Sequence, residues 1–205
     1  MSEKFTEKDV VDEIVAFHGH MCPGLAIGMR AAEVALKEIG PHARDEEVVA
    51  VVETDMCGVD AIQFLTGCTF GKGNLIHLDY GKNAFSFYRR SDGKAIRIVT
   101  KSEAFGHADA EWEDLVAKLS AGNISAEERQ RFQQKKDERT RVILETPLEN
   151  LFEIGQPSKP TPRRARIQAS LVCEDCGERV MESRVRRFRG KTLCIPCFDL
   201  HETKW

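Results

Sequence analysis

Two hydrophobic periods alternate along the first 150 residues. Val10, Val11, Ile14 and Phe17 recur at helical spacing and predict a helix over residues 6–17, with Thr6 and Asp9 set as a capping box. His18-Gly19-His20-Met21 breaks that period. Pro23 suits a first helical turn, and Leu25, Met29, Ala32, Leu36 and Ile39 mark a second helix that Gly40-Pro41 stops. Residues 48–54 are a β-branched run, as in a buried strand, and residues 58–66 predict a short helix closed by Gly67. Strands are expected at 74–79, 84–90 and 94–100, joined through Gly81-Lys82-Asn83 and Ser91-Asp92-Gly93 into a meander of hairpins. Helices at 108–119 and 126–145 follow, the second with a Ser125/Glu128 capping box and a charged face that suits solvent or a partner. A turn of helix is expected at 147–152.

This pattern predicts an α+β fold: a mixed or antiparallel sheet core with packed helices over residues 1–154. Residues 155–166 carry three prolines and read as a linker. Residues 167–205 form a separate small module.

That module contains Cys173-x2-Cys176, a gap of 17 residues, and Cys194-x2-Cys197. Each Cys-x2-Cys turn aims two sulfurs at one point, which suits tetrahedral zinc. Gly177 permits the tight backbone such a turn needs. Residues 180–193 are expected as a hairpin turned at Arg189-Gly190-Lys191. A helix from Ile195 then carries Cys197 in its first turn, an order similar to a treble-clef or ribbon finger. All four positions are sulfur, so the site is structural zinc with no open position. Fewer than forty residues build too little core, so the metal should be required for folding.

Composition limits the remaining choices. The chain of 205 residues is 41% hydrophobic and 31% charged, with no apolar run near the ~20 residues of a membrane span. The charged start lacks a secretory apolar stretch, which predicts a cytoplasmic protein. In a reducing compartment its seven cysteines point to metal or thiol chemistry rather than disulfides.

The cysteines outside the module are Cys22, Cys57 and Cys68. His18, His20 and Cys22 fall within five residues at a loop-to-helix junction; Cys57 lies at a strand-to-helix junction, and Cys68 follows the end of that helix. A thiol at a helix N-terminus is expected to favour the thiolate. Plain burial is the competing explanation for each cysteine, most of all for Cys68. The favoured set is a core metal site of His20, Cys22 and Cys57, with His18 and Cys68 in reserve. It would hold a second zinc or another transition metal, with a vacant fourth position for a small-molecule ligand. Which of His18 and His20 faces the site stays open. An enzyme reading remains beside it, acting on a one-carbon or carbonyl-type substrate. Cys22 or Cys57 would then be nucleophile, a histidine base, and Asp60 or Lys72 would position substrate. The segment from Gly67 to Asn74 is not a phosphate loop: only three residues separate Gly67 and Gly71, and Gly73 follows Lys72.

Charge leaves one further class open. From Gln156 onward, 11 Lys and Arg face 6 Asp and Glu, a balance of +5; the remaining 19 against 27 give −8. Arg184, Arg186, Arg187 and Arg189 could serve a nucleic-acid or protein interaction, although strand alternation would divide them between two faces.

His18-Gly19-His20-Met21-Cys22-Pro23-Gly24-Leu25 resembles the opening signature of proteins similar to the FmdE component of formylmethanofuran dehydrogenase. Residues 55–63 and 66–75, from Asp55-Met56-Cys57-Gly58 to Gly73-Asn74-Leu75, resemble that family's second block, and the paired cysteines resemble the zinc finger of its longer members. The resemblance implies a dimerising α+β core, a pocket at the matching His and Cys positions, and a terminal zinc module. It implies a metal-binding accessory protein that associates with a molybdenum or tungsten dehydrogenase of one-carbon metabolism. It does not imply that this polypeptide catalyses the dehydrogenase reaction.

Overall fold

The computed structural model describes residues 8–42, 44–106 and 109–203. The chain divides into two compact units, ending and beginning at Arg164 and Ala165.

The first unit opens with α1 (Lys8–His18) and α2 (Pro23–Glu38). The expected Thr6 cap lies outside the described residues, as does Ala108 at the expected start of a later helix. β1 (Val48–Val52) leads into α3 (Gly58–Thr66), which ends at Gly67 in the left-handed region. β2 (Leu75–His77), β3 (Ala84–Arg89) and β4 (Ala95–Thr100) follow. α4 (Ala110–Ser120) and α5 (Ala126–Glu145) form a helical hairpin, and α5 carries the expected Ser125/Glu128 capping box. A single turn, α6 (Leu148–Leu151), leads into β5 (Phe152–Gly155).

The sheet has five strands in the order β2-β1-β3-β4-β5. β1 and β2 are parallel, with Ala50 opposite Leu75, and the other pairs are antiparallel. The meander expected from the turn residues therefore holds only for β3 and β4. β2 does not pair with β3; α3 carries the chain over the sheet and returns β2 to the far side of β1. A parallel neighbour needs such a crossover. β5 falls where a turn and a linker were expected.

α2 and α3 pack together and cover one sheet face through Leu25, Met29, Ala32, Ile62 and Leu65 against Ala50, Val52, Phe85 and Phe87. β1 is buried along its whole length because its other face is covered too. Val49, Val51 and Tyr88 form a second small cluster there. The proline-bearing segment after β5 runs over this face: the Tyr88 hydroxyl donates to Lys159 O at 3.2 Å, and Arg90 donates to Pro162 O at 2.5 Å. Residues expected as a free linker are thus hydrogen-bonded to the sheet. Glu53, buried on the same side, receives two parallel bonds from Arg97 at 2.9 and 3.0 Å.

In the second unit, β6 (Ser170–Val172) and β7 (Arg179–Met181) pair, as do β8 (Val185–Phe188) and β9 (Lys191–Cys194), before α7 (Ile195–Glu202). The single hairpin expected over 180–193 is interrupted by a 3-10 turn at Glu182–Arg184. Arg184 lies in that turn and Arg189 in the left-handed bend at φ 49, so the four arginines do not alternate along one strand. Among the described residues no helix is long and apolar enough to cross a membrane.

Candidate metal centres

Two sets of His and Cys ligand atoms converge among the described residues: His18, His20, Cys22 and Cys57, and Cys173, Cys176, Cys194 and Cys197. Within each set the atoms lie within 4.8 Å of one another.

The core set is assembled by three element ends. α1 stops at His18 because Gly19 turns the chain at φ 99 while its N–H still bonds Val15 O at 2.7 Å. The turn folds His20 back over His18, with ring centroids 4.6 Å apart. Cys22 is the N-cap of α2, and its sulfur accepts the Leu25 N–H at 3.4 Å. Cys57 stands at the start of α3, just beyond the carboxyl end of β1, where ligand sites form in open sheets with crossover helices.

Glycine brings the two cysteines together. A Cβ on Gly28 of α2 would meet Gly58 O at 2.1 Å, and one on Gly58 would meet Gly24 O at 2.9 Å. The helices therefore cross backbone to backbone at their N-terminal ends. A Cβ on Gly24 would lie 3.4 Å from Cys57 Cβ and 3.9 Å from the Cys22 sulfur, filling the space the thiols share.

The electrostatics suit a cation. Burial pushes the Cys57 thiol up, and the neighbouring Cys22 thiol raises it further. This differs from the thiolate expected at a helix start: desolvation outweighs the helix dipole at Cys57. Burial lowers the His20 imidazole, reinforced by His18 and Lys136, so it is neutral, the ligand form, near neutral pH. His18 Nδ1 bonds Asp60 Oδ2 at 2.7 Å, while its Nε2 is buried without a hydrogen-bond partner. A carboxylate on one ring nitrogen and an open lone pair on the other is the arrangement of a metal-ligating histidine. These residues fit a bound transition metal.

In the second unit, Cys173 and Cys176 flank the bend between β6 and β7, where Gly177 adopts φ 75. Cys194 ends β9 and caps α7, with Cys197 in the first turn. The Cys176 and Cys194 sulfurs are 3.9 Å apart, close to the ~3.8 Å edge of a tetrahedron with 2.3 Å zinc–sulfur bonds. Backbone N–H bonds from Cys194, Cys176 and Asp175 draw Cys173 down to about 6. Cys197 is pushed up to about 12 by the adjoining Cys194 thiol and by burial. Four such sulfurs ionise together only with a cation among them. Asp175 ties the bend to its surroundings through Lys191 and His201.

The FmdE family, described as "FmdE, Molybdenum formylmethanofuran dehydrogenase operon", matches residues 17–153. The chain belongs to the FmdE family. The prokaryotic dksA/traR C4-type zinc finger matches residues 166–202, so the second unit is a zinc-binding finger appended to the FmdE core. A probable S-adenosyl-L-methionine-binding protein of Archaeoglobus fulgidus is 34% identical over 188 residues, covering 88% of this chain and 50% of that protein. The chain thus spans about half the length of that curated relative. The crystal structure of an FmdE-like protein of tungsten formylmethanofuran dehydrogenase from Syntrophus aciditrophicus has a similar fold, with TM-score 0.59 and 24% identity over 97% of this chain and 94% of that one.

Within this FmdE core the expected site residues separate. His20, Cys22 and Cys57 meet, and His18 joins them in the position expected to be vacant. Cys68 stands apart, fully buried, with its thiol donating to Val48 O at 3.4 Å and pushed up by burial. Asp60 faces His18. Lys72 lines an open pocket of about 470 Å³ with Phe17, His42, Gln63, Phe64 and Thr69. The glycine-bearing loop beside it is held by Asn74, which donates to Val48 O at 2.9 Å and accepts from Thr69 N at 3.0 Å. Sequence reading did not bring out Gly24, Gly28 and Gly58; the Gly24-x3-Gly28 spacing within an apolar helix was the available signal.

Proposed function

We propose that this chain is a metal-binding accessory protein with two metal ions. Structural zinc sits on Cys173, Cys176, Cys194 and Cys197. A second zinc or other transition metal sits in the core on His18, His20, Cys22 and Cys57. The observation that carries the core site is the buried, unpartnered His18 Nε2 within four converging ligand atoms. A buried nitrogen without a partner is costly, and a cation satisfies its lone pair. The bound ion would compensate two thiolates and supply Lewis acidity. His20, the exposed member, is the ligand a small molecule would displace.

The accessory role and the association with a molybdenum or tungsten dehydrogenase rest on the family description and the name of the Syntrophus relative. A macromolecular partner or second copy near the core site is supported by Phe17, Met56 and Phe70, which are 56%, 56% and 76% exposed; two of them adjoin ligands in sequence. The adenosylmethionine binding in the archaeal relative's name stays with that protein, half of whose length lies outside the match.

The enzyme reading has less support. The Cys57 thiol is raised rather than lowered, and His18 Nε2 makes no hydrogen bond to a thiol it could deprotonate.

Element-resolved metal analysis tests the proposal. The purified chain should hold two metal ions, and Cys22→Ser or Cys57→Ser should leave one. A wild-type chain holding one ion, retained in both variants, would refute the core site.

A further inference from the structure

Gln63 touches no member of the ligand set, yet it holds the carboxylate that holds one. Its Nε2 donates to Asp60 Oδ1 at 3.3 Å, and Asp60 Oδ2 meets His18 Nδ1 at 2.7 Å. Its Oε1 accepts the Phe70 N–H at 3.3 Å. Gln63 and Asp60 are three residues apart in α3 and share a helix face. One continuous chain therefore runs from the loop beyond α3, through an amide and a carboxylate, to the imidazole whose Nε2 is unpartnered.

The chemistry selects glutamine. The Asp60 carboxylate only accepts and the Phe70 N–H only donates, so a single side chain must offer both roles. This also fixes the amide's orientation: reversing it would oppose oxygen to carboxylate and NH2 to N–H. Asn74 anchors the loop end of the chain, so Gln63 is held from a stiff base.

We infer that Gln63 is a positioning residue for the core metal. It fixes the Asp60 carboxylate and, through it, the orientation and tautomer of His18, and it ties both to the 67–74 loop. The inference rests on the core-site reading proposed above.

Two variants of the full chain separate its bonds. Gln63→Met keeps the length and removes both strong bonds. Gln63→Glu keeps the acceptor for Phe70 but sets a second carboxylate against Asp60. Cobalt(II) bound in the core is read by ligand-field absorption, as the difference from Cys22→Ser protein. The His18 ring is read by 15N chemical shifts in metal-free protein. Both variants should change the cobalt spectrum and speed cobalt release about tenfold, within the range for lost outer-shell partners. Both should also replace the single Nδ1–H tautomer of His18 by a mixture. Wild-type spectra, release rates and 15N shifts in both variants would overturn the inference. If Gln63→Met does not fold, Gln63→Glu carries both readouts alone. If the wild-type core takes up no cobalt, the core-site reading falls with this inference. Should cobalt bind and only the variants be silent, the core-site reading stands and the role of Gln63 does not.

Discussion

Gly28 and Gly58 touch backbone to backbone: a Cβ on Gly28 would lie 2.1 Å from the Gly58 carbonyl oxygen and 2.4 Å from its Cα. This contact lets two helix starts approach closely enough for Cys22 and Cys57 to share one site. Gly28→Ala cannot be absorbed by rotating a side chain, because the atoms it meets are backbone. We expect a loss of about 3 kcal/mol in urea unfolding, the upper end of overpacking costs, with loss of the core metal. Gly24→Ala is the control. Its nearest neighbours are the Cys57 Cβ at 3.4 Å and the two thiols. Stability should stay within about 1 kcal/mol of wild type while core metal affinity falls.

Asp60 is expected to act on metal retention without being a ligand. Asp60→Asn removes the charge that His18 Nδ1 faces at 2.7 Å. Competition with a chromophoric chelator should show core affinity reduced by about 10–100-fold, with the finger's zinc unaffected. An unchanged core affinity would remove Asp60 from the site.

The finger should behave as a separate folding unit that needs its ion. Cys176→Ser leaves three sulfurs and should release zinc, making residues beyond Arg164 protease-sensitive while the first unit keeps its thermal transition. Full zinc occupancy with intact protection would contradict this.

Acid should release the finger's zinc. Cys173 ionises at about 6, so it is already a thiolate at neutral pH, whereas Cys197, at about 12, must lose its proton to the ion. Binding therefore expels protons, and affinity falls as pH falls. Zinc release followed with a metallochromic dye should show at least about a tenfold loss per pH unit below pH 8. A flat profile between pH 8 and 6 would contradict proton displacement.

On the sheet's second face, Arg97→Met would leave the Glu53 carboxylate buried without its bidentate partner. Breaking such a pair should cost about 3 kcal/mol, measured by chemical unfolding, with the metal content of both units unchanged.

Much of this protein is local and therefore legible in the order of its residues. α5 begins and ends where its capping box and its periodicity place it, because caps and helical hydrogen bonds join residues three and four apart. The finger's four sulfurs are equally legible, since each pair is bound by one tight turn. The tertiary structure decided what depends on distance in the chain. β2 crosses over to lie parallel to β1, although its flanking turns suit a hairpin, because α3 needs the sheet beneath it to bury its apolar side. The segment after β5 lies over Val51 and Tyr88, because an uncovered apolar sheet face would stay in water. His18 joins the core set only because Gly19 reverses the chain and Asp60, 42 residues away, meets its ring. Composition and spacing identified the donor atoms. Their convergence depended on glycine at 24, 28 and 58, where the absence of side chains lets two helices pack at backbone contact.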